Sequence, residues 1–109
     1  MFKTGTIRLP ADPMTGVAAT WDLAAGTGHR SYVSPDIPFV PPWFGAASQF
    51  TSPPTVVVSL AGIEATAGLA RVDLSVENVQ AEEFNIRVNV YEDCTLNWLL
   101  VTWFAHDAV

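Results

Sequence analysis

Basic residues and cysteine are the scarcest elements of this chain. Lys and Arg total 5 against 11 Asp and Glu, giving a formal net charge of -6 and a pI near 4.5. A chain of that balance lacks the cationic surface that a phosphate backbone requires, so nucleic acid is not its partner. The single cysteine, Cys94, excludes an intrachain disulfide and a cysteine-built zinc site. Small secreted domains commonly lean on several disulfides; this one must be held by its core or by partners. No apolar run approaches the length needed to cross a bilayer. The opening stretch, MFKTGTIRLPADP, holds no apolar segment long enough for a signal peptide. The expected location is therefore the cytoplasm or the surface of a released, virion-like particle. Charge of either sign is sparse: 15% of residues are charged, 50% are hydrophobic and the mean hydropathy is +0.27. That composition excludes global disorder. It also leaves little polar side chain to cover the surface, a first pointer to self-association. With 109 residues and 11.8 kDa the chain is one domain, 1–109, without room for two cores.

Proline is absent after Pro54, although the chain has eight. The first half, 1–49, accordingly reads as irregular. A short strand, Lys3 to Leu9, leads into a long loop in which Gly26 and Gly28 mark turns. His29 to Phe44 is strand only at an edge or with breaks. The second half is nearly all strand. Thr55 to Leu60 carries the branched run Val56, Val57, Val58. In Arg71 to Val79 and in Phe84 to Tyr91, apolar and polar residues alternate strictly, the period of a strand with one wet face. These two segments predict a hairpin with Ser75 opposite Arg87 and Asp73 opposite Asn89. One sheet surface then carries Arg71, Asp73, Ser75, Glu77, Asn85, Arg87, Asn89 and Tyr91. It is either a solvated face with charge pairs of little individual worth or a polar recognition surface ending in an aromatic.

Leu96 to Ala105 is different. Leu99, Val101, Trp103 and Ala105 share one face, and Trp98, Leu100 and Phe104, with Thr102, share the other. Both faces call for cover, but a small sandwich has one interior. The second cover is either a loop of the same chain, such as the Pro-rich segment, or a subunit interface around a symmetry axis. Of the four tryptophans, Trp103 reads as core and Trp98 as interface. Trp43 is a docking aromatic or a lid, and Trp21 a ligand contact or a loop anchor. Cys94 is expected half-buried in the turn before the last strand.

Catalytic and cofactor chemistry finds little support. His29 and His106 are the only histidines, and no spacing ties them to a triad or a metal. Gly26-Thr27-Gly28 lacks the rest of a phosphate loop, and 12–16 is a turn rather than a calcium loop. No cofactor is expected. The acidic set Glu82, Glu83, Glu92 and Asp93 is the one arrangement that suggests glycoside hydrolysis, although charge in a hairpin turn is usually just solvated. The expectation is a non-enzymatic protein.

The strings PPTVVVSLAGIE, ARVDLSVENV, EFNIRVNVYEDCTL and VTWFA, in that order and spacing, resemble the H-type lectin domain over Phe50 to Ala105. The resemblance implies an all-β fold, a six-stranded antiparallel β-sandwich that assembles as a homotrimer, sometimes as a pair of trimers making a hexamer. It implies a glycan ligand of galactose or N-acetylgalactosamine type, bound near subunit boundaries. Carried over residue by residue, the sugar-binding arginine falls on Arg71 and the ring before the turn on Tyr91, where the family usually has Trp. Glu92 replaces a small residue or His, and Asp93 with Cys94 stands for an Asp-Thr pair. Asn97 replaces a Tyr that reaches a neighbouring subunit. An acidic contact from the early loops falls on Asp22 or Asp36. The implied role is cell-surface adhesion or recognition. The alternative is a structural trimeric subunit of a phage-like spike or fibre whose sugar site has degenerated.

Overall fold

A computed structural model describes residues 2–10, 23–24, 26, 28–40, 50–67, 72–92 and 94–107, with 66 and 67 as backbone only. The strands among them are β1 (Phe2–Leu9), β2 (Arg30–Val33), β3 (Ile37–Pro38), β4 (Thr55–Ala67), β5 (Val72–Glu77), β6 (Glu83–Val90) and β7 (Thr95–His106). All pairings are antiparallel. One sheet has the order β1-β7-β4. In the other, β6 is central, with β5 on one side and β2 followed by β3 on the opposite side. The described strand segments thus number seven rather than the six expected. The excess arises on one edge. Around Pro35 the chain leaves the ladder, and its register against β6 slips by one residue between Val33↔Arg87 and Ile37↔Phe84. A proline cannot donate to a ladder, so a broken edge is where it belongs.

The core lies between the sheets. β7 contributes Leu99, Val101, Trp103 and Ala105, and β6 contributes Phe84, Ile86, Val88 and Val90, all buried. Phe84 and Trp103 meet edge-on with ring centroids 5.5 Å apart, so one aromatic from each sheet bridges the layers. Phe39 stacks on Phe84 at 5.2 Å and meets Phe50 edge-on. Each fully buried side chain of this size contributes about 1.5–3 kcal/mol. Gly5 faces the Trp103 indole so closely that a Cβ there would stand 2.7 Å from the ring; the glycine is the space the indole occupies.

The predicted hairpin register holds: Ser75 pairs with Arg87 and Asp73 with Asn89. Gly26 and Gly28 are turn residues, at φ 93° and 79°, a region open to glycine at little cost. β7 departs from strict alternation near its start. Leu96 and Leu99 are both buried, while Asn97 and Trp98 are not. Ala65 pairs with Leu96 and Glu64 with Trp98, leaving Asn97 as an extra residue, a β-bulge. β4 runs past Gly62 to Ala67, beyond the expected end at Leu60, by absorbing a register shift at Ala61. Cys94, expected half-buried, is fully buried at the end of the sandwich.

The outer face of β1-β7-β4 is uneven. Phe2, Val57 and Phe104 are 59%, 55% and 40% exposed at one end, with Phe2 and Phe104 stacked. A hydroxyl row, Thr6–Thr102–Ser59, crosses the middle. At the far end Trp98 and Leu100 are half-buried. The Trp98 Nε1 donates to Glu64, and Arg8 lies 5.0 Å over its ring. Among the described residues, no helix is long and apolar enough to cross a membrane.

Candidate functional site

The outer face of the second sheet is wet and ordered in rows. The β2 and β5 registers set Ser31, Asn89 and Asp73 in one row across the sheet, then Val33, Arg87 and Ser75 in the next. Extending the β2 register by one pair sets His29 opposite Tyr91. The side chains use this placement. Tyr91 donates its hydroxyl to Asp73 Oδ2 at 2.9 Å. The His29 ring stacks on Tyr91 with centroids 5.1 Å apart, and its Nε2 meets Asn89 Oδ1 at 3.0 Å. Further down, Arg87 pairs with Glu77 through both Nε and Nη2 and donates from Nη1 to Ser31 Oγ at 2.7 Å. The Asp73 bond, then desolvation, then the carboxylate's charge push the Tyr91 phenol above its ordinary range, because an anionic acceptor favours the protonated donor.

Directly after Tyr91 the chain turns from one sheet to the other. Glu92 sits at φ 56°, in the left-handed region that costs a side-chain-bearing residue free energy. Its side chain is exposed. The turn closes with the Cys94 N–H donating to the Tyr91 carbonyl at 3.3 Å.

Of the residues named from sequence, Tyr91 and Glu92 therefore lie side by side at the exit of β6. Arg71, Asp93 and Asp22 lie outside the described residues, as do Trp21 and Trp43. Asn97 is not brought to Tyr91 within one chain. It stands on the outer face of the other sheet, where its Nδ2 meets Glu64 Oε1 at 3.4 Å. Asp36 accepts from Asn85 Nδ2 at 3.0 Å. Asn85 is six residues along β6 from Tyr91, about 20 Å, so within one chain Asp36 is remote from it. The acidic set considered for hydrolysis is split in the same way. Glu82 and Glu83 flank the start of β6 and Glu92 follows its end, about 25 Å of strand apart, whereas glycosidase carboxylates stand about 5–9.5 Å apart. Glu83 is instead pushed upward by desolvation, with Asp36 and Glu82 adding to the effect.

His29 is a member of this surface that the sequence did not single out as a site residue. It is 62 positions before Tyr91 and reaches it only because β2 pairs with β6. The available signal was the alternation of Arg30-Ser31-Tyr32-Val33, which puts His29 on the same side as Ser31.

A surface of this kind suits hydroxyl-rich ligands. It offers a ring, carboxylate acceptors and donors with fixed directions. The sequence model of the H-type lectin domain matches residues 47–106, more than half of the chain. The chain belongs to the H-type lectin domain family. Two solved structures of discoidin II from Dictyostelium discoideum, one of the recombinant native protein and one of the wild type, share its fold. Their TM-scores are 0.72 and 0.71, at 19% identity over 96% of this chain. This chain spans only 36% and 35% of their lengths. No curated protein matches it.

Proposed function

We propose that this protein is a non-enzymatic carbohydrate-binding module that recognises galactose, N-acetylgalactosamine or related cell-surface glycans and acts in adhesion or recognition. The observation that carries the reading is the hydrogen-bonded Tyr91, Asp73, Asn89 and His29 surface at the exit of β6 in a chain of the H-type lectin family. Tyr91 supplies a hydroxyl and ring, less apolar area than the indole usual at that position. Arg71, Glu92 and Asp93 are the proposed donors and acceptors, with Arg71 offering a planar fork. Asn97 contributes from a neighbouring copy. Affinity at one site is weak, and a homotrimer, single or paired, raises it by linked binding. The exposed Phe2, Val57 and Phe104 patch supports such an assembly, because an apolar surface of this kind is stabilised by burial against a second copy.

A structural subunit of a trimeric spike or fibre is the second reading. It is favoured by the mutual pairing of Arg87 with Glu77 and by the departures at Glu92 and Asn97. A glycan array followed by titration calorimetry separates the two. The lectin reading expects binding that Arg71→Ala abolishes and Tyr91→Ala weakens about tenfold. A stable trimer that binds no glycan establishes the scaffold.

A further inference from the structure

Alternation along β2 puts Arg30, like Tyr32, on the inner side of its sheet, since it pairs with the inward-facing Val90. An arginine on a core face is costly unless its donors meet acceptors. Arg30 stands at the end of the sandwich, where the chain crosses between sheets after β6, and its donors are directed at backbone there. Its Nη2 donates to the carbonyls of Cys94 and of Glu92, the latter at 3.2 Å. Its Nε donates to the Gly28 carbonyl at 3.3 Å. The Gly28 N–H in turn reaches the Glu92 carbonyl at 2.9 Å. One guanidinium therefore spans both shoulders of the 91–94 turn and ties them to the segment before β2. The turn needs such support, because Glu92 holds a left-handed backbone without being glycine.

We propose that Arg30 is the positioning residue of this turn: it fixes the backbone that presents Tyr91 and Glu92, and through that presentation it sets glycan affinity. The affinity half rests on the carbohydrate-binding reading above; the turn half does not. Lysine cannot replace it, because an ammonium point charge lacks the fork that spans carbonyls on two segments.

The test uses the full chain with Arg30→Lys, Arg30→Ala and, as a control, Lys3→Ala, which removes a cation of β1 in the other sheet without touching the turn. Amide hydrogen exchange is read at Gly28, Cys94 and Leu96, whose N–H groups bond across or beside the turn. Titration calorimetry uses N-acetylgalactosamine as probe. Arg30→Lys is expected to keep the urea unfolding midpoint near wild type while protection at Gly28 and Cys94 falls about tenfold and affinity falls about tenfold. Lys3→Ala is expected to leave protection and affinity within about twofold of wild type. Wild-type protection at Gly28 and Cys94 in Arg30→Lys overturns the turn half. A loosened turn with unchanged affinity overturns the affinity half. If Arg30→Ala does not fold, the lysine variant alone decides both. A wild-type chain that binds no glycan removes the lectin reading and the affinity half together, and exchange in Arg30→Lys still judges the turn.

Discussion

The two sheets share one core, yet one end of the first sheet's outer surface is apolar where the second sheet's is polar. Outside β1-β7-β4 stand Phe2, Val57 and Phe104, exposed at one end, with Phe104 stacked on Phe2 and its ring also meeting His106. Outside β5-β6-β2 stand Asp73, Tyr91, His29, Asn89, Arg87 and Glu77, nearly all engaged with one another. An apolar surface gains free energy only by leaving water, whereas a hydrogen-bonded polar surface loses little by staying there. Under the proposed function the two sides do different work: one sheet is covered by a second copy, and the other meets a hydroxyl-bearing ligand.

The largest expected effect tests the inside of both sheets against the outside of one. Phe84→Ala removes the ring that joins the layers and is expected to cost about 3–5 kcal/mol in urea unfolding. Phe104→Ala, one position from Trp103 on the opposite face of β7, is expected to cost within about 1 kcal/mol at high dilution. If neighbouring copies cover that face, the cost of Phe104→Ala grows with protein concentration, since a subunit that binds only the folded state stabilises it by mass action. A cost for Phe104→Ala as large as for Phe84→Ala, at every concentration, would mean that the chain's own loops cover it.

Much of this contrast is legible in the sequence, and what is not has identifiable causes. Alternation in two adjacent segments fixes which residues share a face but leaves the register open by two residues; the pairing of Ser75 with Arg87 is one of those choices, and the structure adopts it. The doubled apolarity of β7 is visible because Val101 and Trp103 interleave with Leu100 and Phe104. The bulge at Asn97 is not visible: strict alternation would send Leu96 outward with Trp98, but the burial gained by Leu96 outweighs a regular ladder. His29 and Arg30 escape notice because their partners lie some 60 residues on and meet them only through the β2–β6 pairing. A local pattern carries no information about that pairing.

The next effect down is on assembly. Val57→Asp combined with Phe104→Asp places two carboxylates on adjacent strands, at paired positions of the greasy face. A charge buried without a partner is expensive, so sedimentation is expected to show a single-chain species for the variant and a trimer for the parent chain. The core is untouched, and far-ultraviolet circular dichroism is expected to match the parent. A parent chain that is already a single copy at every concentration would leave the apolar patch without a homotypic partner, and the contrast between the faces would lose its simplest explanation.

The smallest effect sharpens the polar side. The bond from Tyr91 to Asp73 holds the phenol protonated, so its folded value lies above its unfolded value near about pH 10. A group raised in this way contributes its stability below the unfolded value and loses it as pH rises through the folded value. The chain has 2 tyrosines, so a Tyr32→Phe background leaves Tyr91 as the single titrating phenol. Its absorbance is expected to change above the ordinary tyrosine range, and Asp73→Asn is expected to bring it back. The shift concerns an exposed pair and moves overall stability little. Its value is diagnostic: a Tyr91 that titrates at the ordinary value with Asp73 in place would mean that the phenol and carboxylate do not hold each other in solution. The polar face would then be a set of independently solvated side chains, and a ligand would have to order them at the cost of their rotamer freedom.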